Sequence, residues 1–212
     1  MAALATATRC PNLPAMSSDP IPTLPDASGT PPRARRGITR SVAIAAMIAA
    51  MAAKLAFFLW LDRPLGCDCG RIWAVPSQPR LNSQVMLDPY TLLHVVFGAL
   101  LALGLMRLRP RWTGWTLLMT IVVSSTIWEL AENLPMIVRL FNYDAGDPLA
   151  YHGDSLLNAS ADTVAAVLGA GLAHVLPVPV VLLGALVVEL WLSVWIGDGF
   201  IIATLRAIPG LG

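Results

Sequence analysis

The chain has 212 residues, of which 56% are hydrophobic and 13% charged, with a formal net charge of +1 and a mean hydropathy of +0.67. Soluble domains carry roughly 25% charged residues, so this composition excludes an ordinary soluble domain. The basic residues form no face or stripe that could track phosphates, which excludes a nucleic-acid partner. Several apolar runs reach the ~20 helical residues needed to cross a bilayer core. The chain therefore reads as an all-α, polytopic membrane protein whose first partner is the lipid bilayer.

Residues 1–40 are rich in Pro, Ala, Ser and Thr, and Pro11, Pro14, Pro20, Pro22, Pro25, Pro31 and Pro32 would break any helix. They read as a disordered tail ending in the basic cluster Arg33, Arg35, Arg36 and Arg40. Residues 41–212 read as the helical transmembrane domain. The first span is Ser41 to Leu61. Small residues at Ala49 to Ala53 resemble a cleavage site, but the apolar character continues through Phe57, Phe58 and Trp60, which favours an uncleaved anchor. Lys54 interrupts this span about two turns from its end. Snorkelling is the expected behaviour, and pairing with an acid on another helix is the alternative.

A polar loop from Asp62 to Pro89 follows, carrying Cys67 and Cys69 on either side of Asp68. A disulfide between residues two apart is expected to be strained, and a zinc site would want more Cys or His nearby. The second span runs from Tyr90 to about Leu108 and the third from Trp112 to about Leu134. A loop from Pro135 to Gly153 contains a turn by composition, Tyr143 to Pro148. The fourth span, about Asp154 to Leu176, and the fifth, about Val178 to Ile196, form an antiparallel pair around the turn Leu176 to Pro179. The segment Phe200 to Pro209 is too short to span and is expected to lie in the interface or re-enter shallowly.

Arginine placement orients the bundle. Arg33, Arg35, Arg36 and Arg40, together with Arg107, Arg109 and Arg111, put the N-terminus inside. Five spans then leave the C-terminus outside. With that topology His94 enters the second span from the outside. Glu129, Glu132 and Asn133 leave the third span there, and Asp154, Asn158 and Asp162 enter the fourth. The i, i+3, i+4 and i, i+4, i+8 spacings line one helical face each. Ala161, Ala165, Ala166, Gly169 and Gly171 would let the fourth span pack closely on a neighbour. The expectation is a polar pocket in the outer leaflet, walled by the second, third and fourth spans, with Glu189 joining from the fifth.

Ionisable groups inside a membrane domain are costly and by default point to function. Acids in such a pocket must hold protons, bind a cation, or be neutralised by Lys54 and Arg139. A proton shared between Glu129 and Asp162 would suit hydrolysis or group transfer. A divalent metal on carboxylates, Asn and His94 would instead activate a water. In the first case Glu132, His94 and Asn158 orient the pair and Asp154 sits at the pocket mouth. The structural alternative is that these groups bond one another and fix helix register. His152 and His174 read as solvated.

The motifs Cys67-Asp68-Cys69-Gly70, Tyr90-Thr91-x-x-His94, Trp128-Glu129-Leu130-Ala131-Glu132-Asn133 and Tyr151-His152-Gly153-Asp154-Ser155-Leu156-Leu157-Asn158-x-x-x-Asp162-Thr163 resemble those of an uncharacterised family of bacterial multi-pass inner-membrane proteins, known only by a domain-of-unknown-function label. The resemblance covers roughly Gly66 to Asp198. It implies the bacterial cytoplasmic (inner) membrane and no assigned activity or cofactor. The family tends to carry a second histidine one turn after the first, where this chain has Phe97 before Gly98. It also tends to carry Arg-Asp-Asn where this chain has Gly197-Asp198-Gly199. The first departure weakens the metal reading, and the second puts the end of the fifth span in doubt as part of the site. A looser likeness is to VanZ-like membrane proteins, an analogy of fold and residue type. The function classes left open are a structural or envelope-related role, a hydrolase or transferase acting on a lipid or lipid-linked substrate, and a small transporter or accessory subunit.

Overall fold

The structure is a computed structural model that describes residues 37–75, 81–140 and 150–207. The expected disordered tail, apart from its last residues, and the expected turn at Tyr143 to Pro148 lie outside the described residues. Seven helices follow in order: α1 (Arg40–Trp60), α2 (Thr91–Leu108), α3 (Gly114–Glu132), α4 (Pro135–Leu140), α5 (Leu156–Val175), α6 (Val178–Trp195) and α7 (Phe200–Ala207). Among the described residues there is no strand, only an isolated bridge between Trp73 and Leu87. Helices α1, α2, α3, α5 and α6 are long and apolar enough to cross a membrane, so the chain is a five-span, all-α membrane protein. Their outward residues, among them Ile48, Leu168, Leu183 and Val194, are exposed aliphatics, as a lipid-facing surface requires.

The helix ends follow from local chemistry. Thr39, Thr113 and Ser155 accept from the backbone N–H groups of Val42, Thr116 and Asn158, so each serves as an N-cap. Pro177 precedes α6 and cannot continue α5. At the end of α1, Asp62 takes a left-handed conformation (φ 54°). Asp62 N–H then donates to Leu59 O, and Arg63 N–H donates to Phe58 O, the two bonds of a Schellman motif. That turn sends Arg63 back across the end of the bundle.

Helices α2 and α5 form the closest pair. A Cβ on Gly98 would meet Ala166 O at 1.8 Å, and one on Gly169 would meet Val95 O at 1.9 Å. Only glycine allows the two backbones to approach this far, which bears out the expected small-residue packing, although Gly171 faces open space. Helix α1 packs on α3, α3 on α5, and α6 on α2. One half of the bundle is a dry core of Ala99, Ala102, Ile121, Ala166, Ala173 and Val181. The polar residues fill the other half.

A lid covers the polar end. The first two free N–H groups of α5, on Leu156 and Leu157, donate to Pro64 O and Leu65 O. Ser155 N–H donates to Ser83 O, and Asn158 Nδ2 donates to Val85 O. Unpaired N–H groups at a buried helix start are costly, so these carbonyls hold segments 62–65 and 81–88 against the bundle. Cys67 and Cys69, on either side of Asp68, are joined by a disulfide.

Candidate functional site

At the end where α2 and α5 begin and α3 stops, the helices and lid enclose a cavity of about 330 Å3. His94, Glu132, Asp154, Asp162, Tyr90 and Asp198 supply its polar wall. Leu93, Phe97, Trp128, Phe200 and Ala203 supply the apolar one. Four of the six expected site residues, His94, Glu132, Asp154 and Asp162, line this cavity.

His94, in the first turn of α2, stands between two carboxylates. Its Nδ1 lies 3.4 Å from Glu129 Oε1 on α3, and its Nε2 lies 3.6 Å from Asp162 Oδ2 on α5. Glu129 is fully buried and is not among the cavity-lining residues, so it lies deeper than His94. Neither Glu129 oxygen has a hydrogen-bond partner, and Asp162 Oδ1 has none. A second set, Glu129, Glu132 and Asp154, also brings its carboxylate oxygens within 4.8 Å of one another.

Asp154 is buried rather than at a mouth. Asn133 Nδ2 donates to its Oδ2, and its own N–H donates to Asn133 Oδ1 at 2.8 Å. Burial raises the Asp154 carboxyl pKa, while the Asn133 bond and the charge of Arg63 pull it back. Asp88, also buried, is pushed up to about 7 by desolvation and by the charge of Asp154. Burial likewise pushes the Tyr151 hydroxyl up, reinforced by Asp154.

Several expectations are corrected. Lys54 does not snorkel: it is fully buried, and its Nζ donates to Ala159 O at 2.8 Å and to Thr163 Oγ1 at 2.5 Å. Those acceptors lie on α5 next to Asp162, and the ammonium faces Glu129, Asp162 and Asp154. Burial against carbonyl, hydroxyl and acid outweighs the reach of a flexible stem to the interface. Arg139 is exposed and is no counter-charge. Arg63 takes that part, with its guanidinium donating to His152 O and Asn133 O. It occupies the space where a Cβ on Gly153 would sit, and Gly153 is left-handed (φ 90°). Asn158 is committed to the lid through Val85 O and orients neither Glu129 nor Asp162. Glu189 does not join the cavity either. It accepts from the N–H groups of Phe200 at 3.1 Å and Ile201 at 2.8 Å, fixing α7, which does form a wall. Asp198 lines the cavity and accepts from Tyr90 OH at 3.1 Å, so the end of the fifth span reaches the cavity. The side chains of His152 and His174 are exposed, as expected.

Residues missed from sequence were Arg63, Asp88, Ser83 and Tyr151. Asp88 carried a local signal: it lies three positions before Thr91, and the two cap each other, with Thr91 N–H donating to Asp88 Oδ1 and Asp88 N–H to Thr91 Oγ1, both at 3.2 Å.

The comparisons with known proteins fit this picture. A family described as "Protein of unknown function (DUF2585)" matches residues 58–209. The chain belongs to this family. Among its relatives, a UPF0314 protein of Rhizobium meliloti (strain 1021) is 36% identical over 155 residues, covering 71% of this chain and 74% of the relative. One from Sinorhizobium fredii (strain NBRC 101917 / NGR234) is 35% identical over 153 residues, covering 71% and 74%. Another, from Paracoccus denitrificans (strain Pd 1222), is 35% identical over 147 residues, covering 68% and 69%. No solved structure matches. The matched region of this family member begins at Phe58, so it contains Arg63, the lid, every cavity-lining residue and α7, and leaves most of α1 outside.

Proposed function

We propose that this member of the family is a hydrolase or transferase of the bacterial cytoplasmic membrane, acting on a lipid or lipid-linked substrate that enters from the outer leaflet. One observation carries the reading: Glu129 is buried with both carboxylate oxygens lacking a hydrogen-bond partner, within 3.4 Å of His94. A buried acid kept for helix register would be satisfied, because each unpaired buried polar group costs about 1–3 kcal/mol. Asn133 and Asp154, which bond each other twice, are a satisfied pair in the same bundle. Groups left unsatisfied beside a cavity are instead expected where chemistry is done.

The wall composition favours an amphipathic substrate. A polar headgroup would meet His94, Glu132 and Asp162, while Phe97, Trp128 and Phe200 would contact acyl or prenyl chains. Trp128 is 45% and Phe200 39% exposed, so the apolar rim is reachable from lipid. Transport is disfavoured by the dry half of the bundle, where Ala99, Ala102, Ile121 and Ala166 offer no relay group.

The test is mass spectrometry of total envelope lipids from a deletion strain carrying wild type, Glu129→Gln or Asp162→Asn, with membrane levels of each protein matched. The expected result is one lipid species that accumulates in the deletion and persists with either variant. Unchanged lipid profiles, or full rescue by both variants, would remove the enzymatic reading.

A further inference from the structure

We infer that His94, Glu129 and Asp162 form a binding site for one divalent first-row metal ion, such as zinc or manganese. The three side chains come from α2, α3 and α5, and each presents one ligand atom within 4.8 Å of the others. Metal–ligand bonds of about 2.0–2.2 Å place neighbouring ligand atoms roughly 3–3.5 Å apart and opposite ones roughly 4–4.5 Å apart. The observed spread fits one ion.

The contacts fit a metal better than they fit a hydrogen-bonded triad. Separations of 3.4 and 3.6 Å exceed the 2.7–3.2 Å of ordinary N–H···O bonds. A neutral imidazole also has only one N–H, so between two ionised carboxylates one of its nitrogens points a lone pair at an oxygen. An ion on one ring nitrogen replaces that repulsion with an attractive contact and leaves the other nitrogen to carry the N–H toward the carboxylate beside it. It also gives a partner to a Glu129 carboxylate, neither of whose oxygens has a hydrogen-bond partner. The neighbouring Glu129–Glu132–Asp154 set is a poorer site, because Asn133 already occupies Asp154.

The donor set selects the ion class. One imidazole with two carboxylates suits zinc, iron or manganese, whereas magnesium and calcium favour all-oxygen shells. Lys54 is the nearest buried cation, and its ammonium is tied to Ala159 O and Thr163 Oγ1. It therefore offsets one carboxylate and leaves the site able to accept a dication. His94 and Asp162 line the cavity, so the ion has an entry path and an open side for water. With the ion bound, His94 is a ligand, and proton transfer falls to Glu132 on the cavity wall.

This inference rests on the catalytic reading only for what the ion does; metal content is measured without substrate, so the two can fail separately. The full chain is purified in detergent, stripped with chelator and reloaded with zinc or manganese. Bound metal is then counted by mass spectrometry for wild type, His94→Ala, Glu129→Gln and Asp162→Asn. The expected result is about one ion per chain in wild type, at least a tenfold loss of occupancy in each variant, and a melting temperature raised by metal in wild type alone. X-ray absorption of the loaded wild type should show a nitrogen/oxygen shell with one imidazole, a readout that survives any misfolded variant. No metal retained by wild type, equal retention by wild type and variants, or a shell without imidazole would each overturn the inference.

Discussion

The approach of α2 to α5 sets the distance between His94 and Asp162, and Gly169 tests it. A Cβ at this position would lie 1.9 Å from Val95 O, 2.8 Å from Val95 C and 3.0 Å from Ala99 N. All three atoms are backbone, so no side-chain rotation relieves the overlap. Reaching ordinary contact requires the helices to part by about 1.5 Å, enough to forfeit much of the dispersion energy along the crossing. Overpacking of this kind costs about 1–3 kcal/mol, and rigid backbone neighbours argue for the upper half of that range. For Gly169→Ala the expected loss is about 2 kcal/mol, a fall of roughly 4–8 °C in melting temperature for a domain of this size. The 3.6 Å contact between His94 Nε2 and Asp162 Oδ2 spans the same crossing and should open with it. Gly104→Ala and Gly171→Ala are the controls. Nothing lies within 4 Å of a Cβ at either position, so removing glycine from a helix should leave stability unchanged or add about 0.5–1 kcal/mol. Thermal unfolding in detergent, followed by fluorescence, reads all three variants. A Gly169→Ala protein that melts with wild type, or controls that fall as far, would refute the packing argument.

Two further outcomes follow from buried charge. The Asp88 carboxyl, pushed up to about 7 from an ordinary value of 3.8, faces Asp154, Glu132 and Asp162. The folded state holds this proton more tightly than the unfolded chain, so the stabilisation is full below about pH 4 and is lost as pH rises through 7. At about 1.4 kcal/mol per tenfold change in proton affinity the whole effect is at most roughly 4 kcal/mol. Asp88→Asn keeps the acceptor for Thr91 N–H and cannot ionise, so its melting temperature should fall less steeply between pH 5 and 8 than that of wild type; parallel curves would contradict this. Lys54→Met keeps the stem and removes the ammonium, with its bonds to Ala159 O and Thr163 Oγ1, and leaves the acids without their nearest cation. Breaking a buried pairing of this kind costs about 3–5 kcal/mol. Adding Asp162→Asn should recover part of that loss in a double-mutant cycle on melting temperature, and strictly additive losses would show that the two groups do not interact.

The spans and the convergence of the site were legible in the sequence because both are written in local periodicity. Apolar runs of bilayer length fixed five helices to within about two residues of their ends. The i, i+3, i+4 spacing of Glu129, Glu132 and Asn133, combined with an up-and-down topology, was enough to bring His94, Asp154 and Asp162 to the same end. Helix rise converts sequence position into depth, so residues at matching depths on facing helices had to meet. The tight α2–α5 crossing was half legible. Small residues marked a face on α5, but only coordinates separate Gly169, which touches Val95, from Gly171, which touches nothing.

What stayed hidden was the direction of long side chains and the path of the loops. Lys54 could reach either the interface or a neighbouring helix. The choice depends on Ala159 and Thr163, more than a hundred residues away, which spacing along α1 cannot reveal. Asn158 lies on a polar face and Glu189 is the lone acid of an apolar helix, yet both serve backbone groups: Asn158 holds the lid through Val85 O, and Glu189 holds the start of α7. Periodicity assigns a residue to a face without saying whether its partner there is a substrate or an unpaired peptide group. That distinction sorts the acids of this bundle. Glu189 and Asp154 have donors among the protein's own N–H and amide groups, while Glu129 has His94 at 3.4 Å and no hydrogen bond. A polar residue in a membrane helix that supports structure answers to the backbone, and the one left unanswered beside a cavity is where a ligand is to be sought.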